Sequence, residues 1–197
     1  VTAPQTILGI DPGLRRTGYG VIVAHGKGQL TARDYGLITA DPHLPLAQRL
    51  GTLFAELSAL IERHTPDAIA IEQVFVNVNG ETTLLLGQAR GALLAAASRY
   101  PAPIAEYTAL QVKQAVVGYG KAQKVQVQEM VRRLLALTEP PPADAADALA
   151  CAICHAHQSR HPLAQAALAG AIAVRRKKGR LRGWDEAAVA QLARSRP

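Results

Sequence analysis

Aromatic side chains are scarce in this sequence: two Phe, one Trp and five Tyr among 197 residues. A core built on stacked rings is excluded, so the 49% of hydrophobic residues must pack chiefly through Ala, Leu, Val and Ile. Cysteine is scarcer still. Cys151 and Cys154 are the only two, which excludes a disulfide-framework domain. No apolar run approaches the roughly eighteen residues that suggest a bilayer span, so no membrane partner is expected. The stretch VTAPQTILGIDPG has no charged leader, and Asp11 interrupts its only apolar run. The expectation is a soluble cytoplasmic protein with reduced thiols. What the chain has in excess is positive charge, 22 Lys and Arg against 15 Asp and Glu, a formal net charge of +7. That balance favours a polyanionic partner such as nucleic acid.

Periodicity divides the chain into alternating elements. Residues 6–11, 18–26 and 29–39 read as three consecutive strands of an antiparallel meander. Apolar residues recur at three and four spacing over 44–64, as in an amphipathic helix. A strand over 67–75, a helix over 79–100, a short strand over 103–107 and helices over 108–118, 125–138 and 143–160 follow. Gly87, Gly91 and the alanines of the second helix are expected to permit close packing. The order implies an α/β fold with a mixed sheet. The domain spans 1–160. From 161 to 197 the character changes: Arg175, Arg176, Lys177, Lys178, Arg180 and Arg182 crowd one window, and 161–197 reads as a flexible basic tail.

Four acids occupy unusual positions. Asp11 ends the first strand, where sites form in open α/β sheets. Glu72 interrupts the otherwise apolar AIAIEQVF. Asp144 and Asp147, three apart in the alanine-rich ADAADALA, share one helix face. Each has an ordinary alternative: a turn-forming Asp before Pro-Gly, an edge-strand acid facing water, and acids in a first helical turn, where the dipole favours them. Taken together, two strand ends and one helix face can bring four carboxylates to one place. Such a cluster repels itself unless cations or protons compensate. Hard oxygen donors suit Mg²⁺ or Mn²⁺, and two such ions can promote phosphodiester cleavage. Acids for the metal and excess base for the polyanion are what a nuclease needs.

The stretches ILGIDPGLRRTGYGVI, AIEQVF, LGQARGA, QVKQAVVGYGKAQKVQVQEMV and DAADALACAICHAH resemble, in order over roughly residues 6–157, the RuvC family of bacterial Holliday-junction resolvases. The resemblance implies an RNase H-like fold with a mixed five-stranded sheet flanked by helices. It places the family's metal-binding acids on Asp11, Glu72, Asp144 and Asp147, with two Mg²⁺ or Mn²⁺ ions per site. Asp11 and Asp147 would serve both ions, and Glu72 and Asp144 would complete the sites. It places the catalytically important basic residues on Lys113 and Lys124, and the aromatic that stacks in the junction centre on Phe75. Lys121 is a further DNA-binding candidate from the same lysine cluster. The resemblance also implies a homodimer that nicks two opposing strands of a four-way junction, and work with the RuvA–RuvB branch-migration complex. Two features depart from the family pattern: NVNGETTLL, after Phe75, contains no basic residue, and the tail is longer and more basic than in its shorter members.

Other motifs are declined. CAICH matches a haem-attachment pattern whose chemistry needs export, and a helix points its cysteines and histidines apart for zinc. GYGKA lacks a P-loop's first glycine, which would fall on Ala115, and its hydroxyl, which would fall on Ala122. DPGLRRTGYG also resembles the first phosphate loop of actin-like ATPases, but these pair two such domains. Two other functions compete: a noncatalytic junction-binding scaffold, and an RNase H-like nuclease acting on RNA or another branched DNA.

Overall fold

A computed structural model describes residues 3–73 and 80–159. Phe75 and the basic segment 161–197 lie outside the described residues. Three antiparallel strands open the fold: β1 (Gln5–Asp11), β2 (Arg16–Ala24) and β3 (Leu30–Thr39). Helix α1 (Leu46–His64) crosses to β4 (Ala68–Glu72), and α2 (Gly80–Ala97) crosses to β5 (Ile104–Tyr107). Three helices follow: α3 (Ala109–Val117), α4 (Lys124–Leu134) and α5 (Ala143–Gln158). The sheet order is β3-β2-β1-β4-β5; β1 runs parallel to β4, and β4 to β5. The expected mixed five-stranded α/β sheet is therefore present, with the expected antiparallel meander. β4 lies inside the sheet, so Glu72 is not an edge-strand acid.

Side chains alternate between the two faces of a strand, and here the alternation sorts structure from chemistry. Leu8, Ile10, Val21, Ile69 and Ile71 point to one face, where they join Leu53, Leu57, Leu60 and Ile61 of α1 and Ala89, Leu93 and Ala96 of α2 in the main core. The opposite face carries Gly9 and Asp11 of β1, Gly18 and Gly20 of β2, and Glu72 of β4. Pairing sets Asp11 opposite Gly18 and Gly9 opposite Gly20. A side chain on any of these glycines would collide with α5: at Gly9 with the Ala148 carbonyl, at Gly18 with the Asp144 carbonyl, at Gly20 with Leu149. Three glycines thus make a floor without Cβ atoms, and α5 lies directly on it. Leu149 and Ile153 are fully buried there, each contributing roughly 1.5–3 kcal/mol of burial.

Two expectations need correction. Helix α4 ends at Leu134, not 138, because Ala136 turns left-handed with φ 51°; the Ala136 and Leu137 amides donate back to the Arg133 and Arg132 carbonyls. Gly87 and Gly91 do not serve close packing among the described residues. Both are exposed, and a Cβ on either would meet nothing within 4 Å. The small residues of α2 that are packed are Ala89, Ala96 and Ala97. Cys151 and Cys154 are fully buried in α5, as small apolar residues. No helix among the described residues is long and apolar enough to cross a membrane.

Candidate active site

Asp11 and Glu72 sit at the ends of adjacent parallel strands, one residue past the Ile10–Ile71 pair. The turn after Asp11 does not use its carboxylate. Buried Thr17 closes that turn instead, donating to the Gly13 carbonyl at 2.7 Å and accepting from the Gly13 amide at 3.2 Å. The end of β4 is steadied from α2: Arg90 donates through Nε to the Glu72 carbonyl at 3.3 Å and pairs with Glu106. The glycine floor brings α5, with Asp144 and Asp147, down to these two acids. Asp144 lies in the first turn of α5, so it both suits the helix dipole and faces the site.

Lys113 and Lys124 arrive on capped helices. Thr108 and Gln111 form a capping box at the start of α3, with bonds of 3.1 and 2.9 Å, and Gly118, at φ 89°, ends that helix. From α5, Cys154 reaches the Gln111 carbonyl at 3.7 Å and His157 the Ala115 carbonyl at 3.0 Å, anchoring α3 on either side of Lys113. Between these two on α5, buried His155 shares a 2.9 Å hydrogen bond with the Tyr107 hydroxyl at the end of β5. Burial lowers the His155 pKa and raises that of Tyr107, so this pair is neutral.

The acids fall around two adjoining cavities. A pocket of about 210 Å³ is lined by Asp11, Glu72, Asp147, Lys113 and Lys124, together with Ala109, Val112 and Val127. A larger groove beside it, about 880 Å³, is lined by Asp11, Asp144, Arg15, Arg16, Thr39 and Asp41, among others. Asp11 belongs to both. Each α5 acid holds one cation: Asp147 accepts from Lys124 Nζ at 3.2 Å, and Asp144 pairs with Arg16 Nε at 3.1 Å. Lys121 is exposed in the turn before α4 and does not line the pocket.

The electrostatics are those of acids short of positive charge. Burial, followed by the charges of Glu72, Asp147 and Asp144, pushes the Asp11 pKa from 3.8 to about 8 against the pull of Lys124. Burial and then Asp147 push Glu72 from 4.5 to about 7, opposed by Lys124 and Lys113. Asp147 raises Lys124, chiefly by charge and hydrogen bonding. Among the described residues, no three Asp, Glu, His or Cys side chains are already arranged to hold one metal ion. The donor set nevertheless fits hard divalent cations: it is all carboxylate, and among the described residues only Asp144 and Asp147 of the set have a cation paired directly with them. Arg16 and Lys124 each engage one carboxylate oxygen, Oδ2 of Asp144 and of Asp147, and would compete there with a metal ion.

Several contributors carried only weak sequence signals. Arg16 and Thr17 stand in the stretch that drew attention for Asp11, and Arg90 stands in LGQARGA, but their partners are distant in sequence. The glycine spacing at 18 and 20 was visible, but nothing local says that a helix lies on it.

Relatives are close. The sequence profile of crossover junction endodeoxyribonuclease RuvC matches residues 7–155. The crossover junction endodeoxyribonuclease RuvC of Burkholderia multivorans is 56% identical over 180 residues, covering 90% of this chain and 99% of that protein. The protein of the same description from Paraburkholderia phymatum is 62% identical over 152 residues, covering 77% and 83%. The structure of Thermus thermophilus RuvC in complex with Holliday junction substrate superposes with a TM-score of 0.75 at 36% identity, covering 79% of this chain and 95% of that one. With the mixed sheet, the acids at its strand ends and α5 laid across them, these matches place the chain in the crossover junction endodeoxyribonuclease RuvC family.

Proposed function

We propose that this chain is a metal-dependent endonuclease that resolves Holliday junctions, with Asp11, Glu72, Asp144 and Asp147 as its metal-holding acids and Lys113 and Lys124 as its phosphate-side cations. The observation that carries the residue assignment is the pocket in which Asp11, Glu72 and Asp147 meet both lysines. The family relationship and the Thermus thermophilus complex with its junction substrate support the substrate.

Bound Mg²⁺ or Mn²⁺ ions, two per site by resemblance, would supply charge neutralisation and an activated water at neutral pH. The chain's own groups do the rest. The carboxylates on two strand ends and one helix give a rigid donor set, since none depends on a loop for its backbone. Asp147 favours the protonated form of Lys124, which suits this lysine to meet the developing charge on the phosphate. Lys113 faces the same pocket from the anchored α3. Lys121, exposed in the turn, can reach only more distant phosphates, a contact that supplies affinity without sequence reading. Phe75 is assigned the junction-stacking role by resemblance, three residues past Glu72.

The active form is a homodimer by resemblance, and α2 offers a surface for it. This helix is apolar on most of its circumference, yet Leu84 is 65% exposed and Gly87 and Gly91 face open space. Helices hydrophobic all round belong in an interior or an interface. Two sites related by a twofold axis would match the symmetry of paired nicks. Association with RuvA–RuvB is carried over by resemblance.

The test is Asp147→Asn. It should reduce junction cleavage by at least about 10²-fold while junction binding in gel shift is retained or strengthened, because a negative charge facing the phosphate is removed. Retained cleavage would reject the assignment of this acid.

A further inference from the structure

The groove beside the acid pocket has a charge problem that the cleavage reaction alone does not explain. Arg15 and Arg16 line it together with Asp11, Asp41 and Asp144. With the acids ionised, two positive charges stand against three negative ones, and Arg16 is taken up by Asp144 at 3.1 Å. Asp41 is committed locally, accepting from the His43 amide at 2.9 Å. Such a groove offers a phosphodiester chain no net attraction. It becomes net positive once divalent cations take up Asp11 and Asp144, because two arginines then face Asp41 alone and Arg16 loses its partner.

We infer that this groove is a cation-dependent seat for the DNA backbone adjoining the scissile phosphate, and that Arg16 is a positioning residue that passes from Asp144 to a backbone phosphate when the acids take up divalent ions. The inference rests on the resolvase reading and adds a second binding element to it. Three observations favour it. First, Asp11 lines both cavities, so the groove adjoins the acid pocket at that residue. Second, the backbone that carries the arginines is pinned: the Arg15 carbonyl accepts from the Ala40 amide at 3.1 Å, and the Leu14 carbonyl from Arg49 at 3.4 Å. Third, both arginine side chains are exposed, and that of Arg16 is 65% accessible even within its ion pair. A guanidinium can leave a carboxylate for a phosphate at little cost because the donor geometry suits both.

Two measurements on the full chain separate this role from a merely structural one. Mn²⁺ binding to the DNA-free protein is followed by electron paramagnetic resonance. Junction binding is followed in Ca²⁺, with the junction verified intact on a gel. Arg16→Gln removes a competitor for Asp144 and should bind Mn²⁺ about two- to five-fold more tightly, the range expected for a partly exposed ion pair. The same variant should bind the junction about ten-fold more weakly in Ca²⁺, with a salt slope shallower by about one phosphate contact. Arg16→Lys should lie between it and the unaltered protein on both measurements. Arg15→Gln, which removes a groove charge outside the Asp144 pair, should weaken junction binding and leave Mn²⁺ affinity unchanged. Unaltered Mn²⁺ affinity in Arg16→Gln, or unaltered junction affinity in Ca²⁺, would overturn the inference. Metal-dependent cleavage by the unsubstituted protein is scored alongside. Its absence would count against the resolvase reading, whereas its presence with an inert Arg16 would remove only the groove.

Discussion

Lys124 opens α4, the end of a helix where a positive charge is disfavoured by roughly 0.3–1 kcal/mol. Its pairing with Asp147 offsets that cost, and such local conflicts are expected at functional sites. The same tension governs Asp11 and Glu72, whose pKa values rise to about 8 and 7. For these groups the folded state binds more protons than the unfolded state between about pH 4 and pH 8. The stabilisation belongs to acid conditions and is lost as pH rises through that window. The Tm of the ion-free protein should therefore fall between pH 5 and pH 8 in differential scanning calorimetry, and Mg²⁺ should raise it more at pH 8 than at pH 5. An Mg²⁺ increment independent of pH would contradict the acidic-pocket account. His155 acts in the opposite sense, since its lowered pKa costs stability only as pH falls below about 6.5. Of the acids, Glu72 stood out as a charge in an apolar strand and Asp144 with Asp147 as a pair on an alanine-rich helix, whereas Asp11 before Pro-Gly reads locally as turn chemistry. Arg16, Thr17 and Arg90 broke no local rule, and an arginine becomes informative only when its distant partner is known.

Helix α5 shows how an element, not a residue, delivers the chemistry. Its seat depends on Gly9, Gly18 and Gly20, where any side chain would strike the helix. Gly18→Ala, directly beneath Asp144, should lift the start of α5. Overpacking of this kind costs about 1–3 kcal/mol, read as a Tm decrease of several degrees, and cleavage should fall by about ten-fold or more because Asp144 and Asp147 move from Asp11. Unchanged cleavage together with unchanged Tm would show that α5 does not rest on this floor. The strands and helices were legible because periods of two and near 3.6 are local signals. The floor was not, because a glycine beside a turn reads equally well as turn chemistry. The end of α4 was missed for a related reason: Ala136 takes the left-handed position that Gly ordinarily marks. Gly87 and Gly91 misled in the other direction, since small residues announce a close neighbour without saying whether it belongs to the same chain.

The whole molecule combines an acidic pocket with a chain of net charge +7, most of it carried by residues 161–197, which hold eight Lys and Arg against two acids. Its mixed sheet and family could be read from order and motif together, because DPG, AIEQVF and DAADALA fall on three elements that must meet. Assembly is less legible from one chain, since an exposed apolar helix face does not name its partner. If α2 forms the dimer, Leu84→Glu should shift the mass in light-scattering chromatography from dimer toward monomer and weaken paired cleavage. An unchanged dimer would move the interface elsewhere. The most direct test of the central claim is cleavage of a four-way junction, a fork and a linear duplex, each with and without Mg²⁺ or Mn²⁺. Symmetric paired nicks in the junction, dependent on the ion, are the predicted result. Tight junction binding without cleavage under either ion, or preferential cleavage of the fork, would contradict it.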